Sequence, residues 1–159
     1  MNWYLVMSKP RQEDRAYDNL TRQGYPCFLP KISVEHVRNG KVQLKEEPLF
    51  PRYIFIQLSS SEHNWGPIRS TLGVSALVRF GIDFAKVPTS IIEEIQSFAD
   101  SHHEDAFKEG ERILIKSGPF RGMEAEFRKL DGDARALVLI ELLYKVQRIK
   151  IPVEDLAKR

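Results

Sequence analysis

Few side chains in this sequence have the type and spacing that catalysis or metal binding requires. His102, His103, Glu104 and Asp105 are each able to coordinate a metal ion. Because they are consecutive residues in a polar, acidic segment, they form no fixed coordination shell, and we expect no metal site there. Cys27 is the single cysteine and has no histidine near it in sequence, so we expect a structural thiol and not a nucleophile.

Common enzyme motifs are missing from the sequence. It contains no HExxH zinc motif, no GxSxG nucleophile elbow and no phosphate loop ending in Gly-Lys-Ser/Thr. We therefore expect a protein that is not an enzyme and that needs no cofactor. One cysteine allows no internal disulfide, and no apolar run approaches the roughly 20 residues needed to cross a bilayer. The start of the chain also lacks a signal-peptide pattern, so the expectation is a soluble cytoplasmic protein without a membrane partner.

Binding is the chemistry that the charge distribution favours. Residues 1–45 carry eight basic and four acidic side chains, whereas residues 93–111 carry seven acidic side chains and one lysine. A basic front end suits the phosphates of a nucleic acid. A solvated surface gives the same pattern, so charge alone leaves both interpretations open.

A strand followed by a helix must position the first basic residues. Residues 2–8 resemble a short buried strand, and Pro10 is placed where proline is tolerated in the first turn of a helix. Ala16 and Leu20 recur four residues apart, and Gly24 is suited to end the helix. We therefore predict a helix over residues 10–23 with a basic and polar outer face.

The rest of the first hundred residues predicts an antiparallel sheet with helices. Asn39-Gly40 lies between two strand-like runs and predicts a β-hairpin, because both residues tolerate positive φ. Further strands are predicted at residues 51–59 and 74–80, and the spacing of Ser90 and Glu93 predicts a capped helix. The polar stretch at 100–109 predicts a linker, which gives two units, 1–99 and 110–159.

An aromatic strand region is apolar on both faces. Tyr53 and Phe55 share one face at a period of two, and Ile54 and Ile56 occupy the other. A small sheet with helices on one side leaves its second face uncovered. That face needs the C-terminal unit or another protein as its partner.

The C-terminal unit has two incompatible periodicities. Residues 112–116 alternate and lead into the turn Gly-Pro-Phe-Arg-Gly, as in a small β-barrel. In residues 136–151, a period of 3.6 aligns Leu139, Leu142, Leu143, Val146 and Ile149, whereas a period of two aligns Val138, Ile140, Leu142, Tyr144 and Val146. A helix from about residue 133 to 151 and a set of strands are both compatible with this pattern.

Taken in order, these segments resemble the NusG/Spt5 family of transcription elongation factors. WYLV, the basic first helix, EPLFPRYIF and GVSALVRFG resemble its N-terminal NGN domain, and GERILIKSGPFRG resembles its KOW motif. The likeness covers nearly the whole chain. RSTLGVSALVRFG and the DGDAR stretch are most similar to the specialised RfaH-like members of the family.

The resemblance implies a fold and a function. It implies an α/β NGN-type domain and a small KOW-type domain, the latter either an α-helical hairpin docked on residues 1–99 or a five-stranded β-barrel. For the free chain we expect the docked hairpin. The implied function is operon-specific antitermination by a monomer. The implied partners are the clamp helices of the largest RNA polymerase subunit, exposed single-stranded non-template DNA and, through the barrel, a small-subunit ribosomal protein.

Roles for individual residues also follow from the resemblance alone. The polymerase-binding residues would be Met7, Phe50, Tyr53, Phe55, Phe80, Asn64 and Trp65. The DNA-binding residues would be Lys9, Arg15, Asn19, Arg22, Gln23, Arg69 and Thr71. The contacts between the two units would be made by Glu47, Arg135, Phe127, Leu139, Leu142 and Leu143.

The chain departs from the RfaH-like pattern at two points. Leu72 stands where an arginine that touches DNA is frequent, and Arg69 one helical turn away is placed to compensate. Asn64-Trp65-Gly66-Pro67 replaces a segment with hydroxyl side chains. These departures leave open which DNA element is bound. Two alternative functions also stay open: a general NusG-type factor with a permanent barrel and no DNA specificity, and a ribosome- or RNA-binding KOW module.

Overall fold

The computed structural model describes residues 1–59, 64–101 and 131–149 of the 159-residue chain. Its elements, in chain order, are β1 (Asn2–Ser8), α1 (Glu13–Arg22), β2 (Cys27–Phe28), β3 (Lys31–Arg38), β4 (Lys41–Pro48), β5 (Tyr53–Leu58), α2 (Gly66–Ser70), β6 (Val74–Leu77), β7 (Arg79–Phe80), β8 (Asp83–Phe84), β9 (Lys86–Val87), α3 (Thr89–Ser101) and α4 (Gly132–Ile149). The histidine pair, the KOW-like turn and Phe127 lie outside the described residues.

A five-stranded antiparallel sheet forms the centre of the fold. Its strand order is β2-β5-β1-β6, and β9 pairs with β1 as well. β1 and β5 are in register with Leu5 opposite Phe55 and Met7 opposite Tyr53. Because side chains alternate along a strand, each central strand contributes apolar residues to both faces of the sheet.

Helices cover both faces of this sheet. Ala16 and Leu20 of α1 and Ile68 of α2 pack on the face that carries Ile54 and Ile56. Residues of α3 and α4 pack on the opposite face, together with Leu5 and Phe55; they include Ile91, Ile92, Ile95, Phe98, Ala136, Leu139 and Leu143. The second sheet face is therefore covered by the chain's own C-terminal helix, α4.

The predicted hairpin is confirmed. β3 and β4 form a separate two-stranded sheet in which Arg38 pairs with Lys41. Asn39 has a φ of 55° and Gly40 a φ of 76°, the conformation that a tight hairpin turn requires at both positions.

Three predicted boundaries differ from the structure. The first helix begins at Glu13 and not at Pro10, because Arg11 has a φ of 63°, which no helix accommodates. The strand predicted at 74–80 is divided: β6 ends at Leu77, and Arg79 and Phe80 pair with Asp83 and Phe84 in another sheet. Helix α3 begins at Thr89, so Ser90 lies in its first turn instead of preceding it.

Within the three described ranges, no helix is long and apolar enough to span a membrane. The same ranges contain no group of three or more histidine, cysteine, aspartate or glutamate side chains arranged to hold a metal ion.

Candidate functional site

An aromatic surface lies on the sheet face opposite α1. We use this name for Met7, Phe50, Tyr53, Phe55 and Phe80. Phe50 and Phe55 are buried with ring centroids 6.3 Å apart, and Tyr53 and Phe80 are half-buried and pack against the same core cluster. Met7 is half-buried and is the cross-strand neighbour of Tyr53. The structure thus brings these five residues to one face.

A constrained turn presents Phe50 to this surface. Tyr53 donates its N–H to the carbonyl oxygen of Phe50 at 3.0 Å, and Arg52 between them has a φ of 75°. A positive φ is unfavourable for arginine, by about 1–2 kcal/mol. The buried carboxylate of Glu13 offsets this cost because its Oε2 accepts the Arg52 N–H at 2.9 Å, and Arg52 Nε donates to the carbonyl oxygen of Ser8 at 3.1 Å.

Helix α4 covers the aromatic surface. Leu139 and Leu143 are fully buried in the same cluster as Phe50 and Phe55, and Leu142 is half-buried against it. At the edge of the contact, the Tyr144 ring lies 5.6 Å from the Phe80 ring in an edge-to-face arrangement. Residues 132–149 form an α-helix, so the 3.6-residue period describes them and the two-residue strand period does not. Residues three and four apart on this helix share a face.

Arg135 fastens the first turns of α4 to the end of β4. Its side chain is only 2% exposed. Nε donates to the Leu49 carbonyl oxygen at 2.8 Å, and Nη2 donates to Glu47 Oε2 at 2.7 Å and to the Pro48 carbonyl oxygen at 3.3 Å. The resemblance implied a contact between Arg135 and Glu47, and in the structure the arginine side chain of that contact is buried while Glu47 stays partly exposed.

The N-terminus of α4 lies very close to the turn at Pro51. Asp131 Oδ1 accepts the N–H of Ala134 at 2.8 Å, which caps the helix. A Cβ atom on Gly132 would lie 2.6 Å from Pro51 Cγ, so only glycine fits between the cap and the turn that presents Phe50.

Glu47 is shared between the side chains of Arg135 and His36. Its Oε2 accepts from Arg135, while its Oε1 lies 3.6 Å from Nε2 of His36 on the neighbouring strand. The carboxylate therefore joins the hairpin to α4.

A polar surface lies on the opposite side of the sheet, on the outer face of α1. Arg15 and Arg22 of α1 and Gln23 at its end have exposed side chains, as do Lys9 before α1 and Arg69 of α2. Asn19 Nδ2 donates to the Leu72 carbonyl oxygen at 3.0 Å. Gln23 Nε2 donates to Thr71 Oγ1 at 2.7 Å and to the Asn19 carbonyl oxygen at 3.2 Å. Helix α1 and the 71–73 loop therefore form one continuous surface.

Two predicted polymerase contacts lie apart from the aromatic surface. Trp65 packs on Tyr4 and Phe84, with ring centroids 4.9 and 5.3 Å away, in the core cluster of the opposite sheet face. Asn64 accepts the Tyr25 hydroxyl at its carbonyl oxygen, and its Oδ1 accepts the Gly66 N–H at 3.1 Å. The structure therefore separates these two residues from Phe50 and Phe55 by the thickness of the sheet.

Cys27 lines an open cleft of about 450 Å³ beside α1 and α3. Burial raises the pKa of its thiol to about 12, and burial also raises the pKa of Tyr25. A higher pKa leaves the sulfur protonated near neutral pH, which is the wrong form for a nucleophile.

We expect the pH dependence of Cys27 alkylation to reveal this protonation state. In the native chain the rate with iodoacetamide should rise about tenfold per pH unit from pH 7 to pH 10, because only the thiolate reacts. In the urea-unfolded chain, where the ordinary pKa of 9.0 applies, the rate should level off above pH 9. Mass spectrometry measures both rates, and the Cys27→Ser variant is the blank. A native rate that levels off at the same pH contradicts this expectation.

Several contacts had no signal in the sequence. The carbonyl acceptors at Pro48 and Leu49 and the approach of Gly132 to Pro51 depend on two segments more than 80 residues apart. The DGDAR stretch carried the only cue, since Asp131 is a favourable helix cap three residues before Ala134.

Comparisons with known proteins identify the family of this chain. The family model described as NusG, transcription termination factor nusG, matches residues 1–96. Two transcription termination/antitermination proteins NusG, from Staphylococcus aureus strains Mu50 and N315, are each 23% identical over 172 residues, with 98% of this chain and 94% of each relative covered. A solved structure described as domain interaction in Thermotoga maritima NusG aligns over 76% of this chain and 75% of that one, with 21% identity and a TM-score of 0.43. Because the family model covers more than half of the chain, the protein belongs to the NusG family of transcription elongation and termination factors.

Proposed function

We propose that the chain is an autoinhibited, operon-specific transcription elongation and antitermination factor. The aromatic surface binds the clamp helices of the largest RNA polymerase subunit. The polar surface binds exposed non-template DNA at a pause element, and the bound factor reduces pausing and termination. Members of the NusG family are transcription factors that bind RNA polymerase and are not enzymes, which supports the general part of this function.

The observation that carries the proposal is the burial of Phe50 and Phe55 beneath α4. Buried aromatic side chains near the centre of an interface contribute much of its affinity. A chain that holds α4 over them cannot offer them to a partner at the same time. Release of α4 is therefore the step that permits polymerase binding.

The Arg135 contacts suit a releasable latch. Burying an ion pair costs about as much as the attraction returns, so such a pair adds little net stability, whereas removing one partner is strongly destabilising. Apolar burial, at roughly 25 cal/mol per Å², supplies most of the docking free energy. The Arg135–Glu47 pair forms only when α4 is docked in the geometry described above. Since a few kcal/mol are enough to shift the balance between the docked and released states of α4, loss of this pair favours release.

The released C-terminal unit, residues 110–159, forms a β-barrel in this proposal. The period-two alignment of Val138, Ile140, Leu142, Tyr144 and Val146 supports it, since these residues would share one strand face. The barrel would bind a small-subunit ribosomal protein and couple translation to transcription. The first half of the alternative helical hairpin falls on residues that the structure does not describe.

A general NusG-type factor with a permanent barrel is the second candidate. The 23% identity to general factors over almost the whole chain favours it. It requires no contact between Glu47 and Arg135, whereas these side chains are 2.7 Å apart. The docked α4 therefore supports the specialised factor.

Cleavage of the predicted linker distinguishes the two candidates. A protease site introduced within residues 100–109 allows the same protein to be tested intact and cut. For the autoinhibited factor, we expect the cut protein to bind core RNA polymerase at least tenfold more tightly than the intact protein. We also expect it to select elongation complexes by their exposed non-template sequence. Equal binding before and after cleavage, without sequence dependence, would identify the general factor.

A further inference from the structure

Glu13 is a buried carboxylate that belongs neither to the aromatic surface nor to the exposed side chains of the polar surface. It is the first residue of α1 and is only 8% exposed. Asp14, the next residue, has an exposed side chain and forms an ion pair with Lys31 at 2.7 Å. Burial of a carboxylate is unfavourable unless hydrogen bonds compensate for the lost water. The partner of Glu13 therefore indicates why this carboxylate is buried.

That partner is a turn of unusual geometry. The turn runs from Phe50 to Tyr53, because Tyr53 donates its N–H to the Phe50 carbonyl oxygen at 3.0 Å. Pro51 is its second residue and holds a negative φ, while the third residue, Arg52, has a φ of 75°. This combination defines a type II β-turn. Glycine or asparagine is favoured at the third position, since arginine disfavours the left-handed conformation.

The hydrogen bond between Arg52 and Glu13 selects this turn type. Turns of types I and II differ by a rotation of about 180° of the peptide group between the second and third residues. In the turn observed, the N–H of that peptide group donates to Glu13 Oε2 at 2.9 Å. A type I turn would direct the N–H away from Glu13, and the buried carboxylate would lose this donor. Glu13 therefore holds the turn in a form that arginine by itself disfavours.

The same turn supports the seat of α4 and the aromatic surface. Its first residue, Phe50, is buried in the core cluster that includes Leu139 of α4. Its second residue, Pro51, lies against the start of α4, where a Cβ on Gly132 would come within 2.6 Å of Pro51 Cγ. Such a close approach tolerates little displacement of the proline. A change of turn type would therefore disturb the docking of α4 and the position of Phe50 together.

We infer that Glu13 is a positioning residue for the aromatic surface: its carboxylate holds the turn at residues 50–53 in the conformation that both α4 and RNA polymerase require. The inference rests on the proposed function, because it concerns the polymerase site assigned there. It predicts an effect different from loss of the Arg135 latch. Loss of Arg135 releases α4 and leaves an intact aromatic surface, whereas loss of Glu13 releases α4 and also weakens that surface for the polymerase.

The test compares Glu13→Met with Glu13→Gln in the full-length protein. Both side chains are close to glutamate in size, but only glutamine keeps an oxygen acceptor. Affinity for core RNA polymerase is measured in the Arg135→Ala background, where α4 no longer competes. We expect Glu13→Met to lower this affinity about tenfold, because the turn loses the contact that offsets the unfavourable φ of Arg52. Glu13→Gln should stay within about twofold of the parent.

Adding Arg52→Gly distinguishes positioning of the turn from a general loss of stability. Glycine adopts a positive φ at little cost, so the turn no longer depends on Glu13. In the protein that carries Glu13→Met and Arg135→Ala, Arg52→Gly should restore most of the lost polymerase affinity. Asp14→Ala is the matched control, since it removes the neighbouring exposed carboxylate, and it should bind polymerase like the parent.

The outcomes separate this inference from the proposed function. If the Arg135→Ala parent binds polymerase and Glu13→Met leaves that affinity unchanged, the inference is wrong while the proposed function stands. An affinity that Arg52→Gly does not restore would also overturn it, because Glu13 would then act through the stability of the fold. If the Arg135→Ala parent does not bind polymerase, the proposed function fails and the inference fails with it.

Discussion

Replacing Arg135 with alanine should release helix α4 from the aromatic surface. The substitution removes a buried guanidinium and leaves the Leu49 carbonyl oxygen without the Nε donor that lies 2.8 Å from it. Breaking such a buried, hydrogen-bonded charge contact costs about 2–4 kcal/mol. Only the docked state bears this cost, so the balance should shift toward the released state by at least about tenfold.

Amide hydrogen exchange and polymerase binding measure this release. In the Arg135→Ala variant, amides of residues 132–149 should lose protection, while those of β1 and β5 keep it. Affinity for core RNA polymerase should rise, because Phe50 and Phe55 become available. Lys145→Ala is the control, since Lys145 is an exposed cation on the same helix.

An exchange of charges sharpens the same prediction. If attraction between positions 47 and 135 were sufficient, combining Glu47→Arg with Arg135→Glu would restore docking. The geometry predicts that it does not, because the new carboxylate would face the carbonyl oxygens of Pro48 and Leu49. Restored protection in this double variant would show that the carbonyl contacts are unimportant. Unchanged protection in Arg135→Ala would contradict the role of Arg135 as a latch.

Placing a charge at Leu139 should have the largest effect on α4. Leu139 is fully buried between the helix and the aromatic surface. The Leu139→Asp variant would bury a carboxylate without a partner, which costs several kcal/mol, so α4 should undock almost completely. Circular dichroism should then show loss of the α4 helix, since few isolated helices of this length are stable in water.

Leu137→Asp is a closely matched control. Leu137 lies two residues away on the same helix but is 59% exposed. The same change of side chain should leave docking, hydrogen exchange and polymerase affinity near those of the native chain. Undocking in both variants would show that the aspartate acts through helix propensity and not through burial. Docking retained in Leu139→Asp would rule out the packing described for α4.

Local signals predicted most elements of residues 1–99. The Asn39-Gly40 turn, the strand at residues 2–8 and the helix ended by Gly24 each depend on neighbouring residues, and each is present. The predicted boundaries were wrong where an unusual backbone angle or a partner distant in sequence determines where an element begins or ends. Arg11 takes a positive φ and delays α1. β6 pairs with the distant strand β1, whereas Arg79 and Phe80 pair with Phe84 and Asp83, and this divides the predicted strand.

The sequence predicted which residue types form the candidate site, but it did not predict most of the contacts between them. The sequence marked Phe50, Tyr53 and Phe55 as an apolar group needing a partner. It did not show that Gln23 donates to Thr71, or that Leu72 is the exposed side chain between them, because these contacts join segments about 50 residues apart. The domain boundaries, the KOW-like unit and the contact of Phe127 stay predictions.

In residues 136–151, some properties follow from the sequence and others only from the tertiary structure. The sequence of this segment alone determines that it is apolar, that it has both a 3.6-residue and a two-residue period, and that Val138, Ile140 and Val146 weaken a helix slightly. Helix or strand is decided by tertiary contacts, because docking buries Leu139 and Leu143 beside Phe50 and places Arg135 against two backbone carbonyl groups. The physical reason is scale: propensity differences amount to a few tenths of a kcal/mol per residue, whereas burial of one leucine is worth roughly 2 kcal/mol.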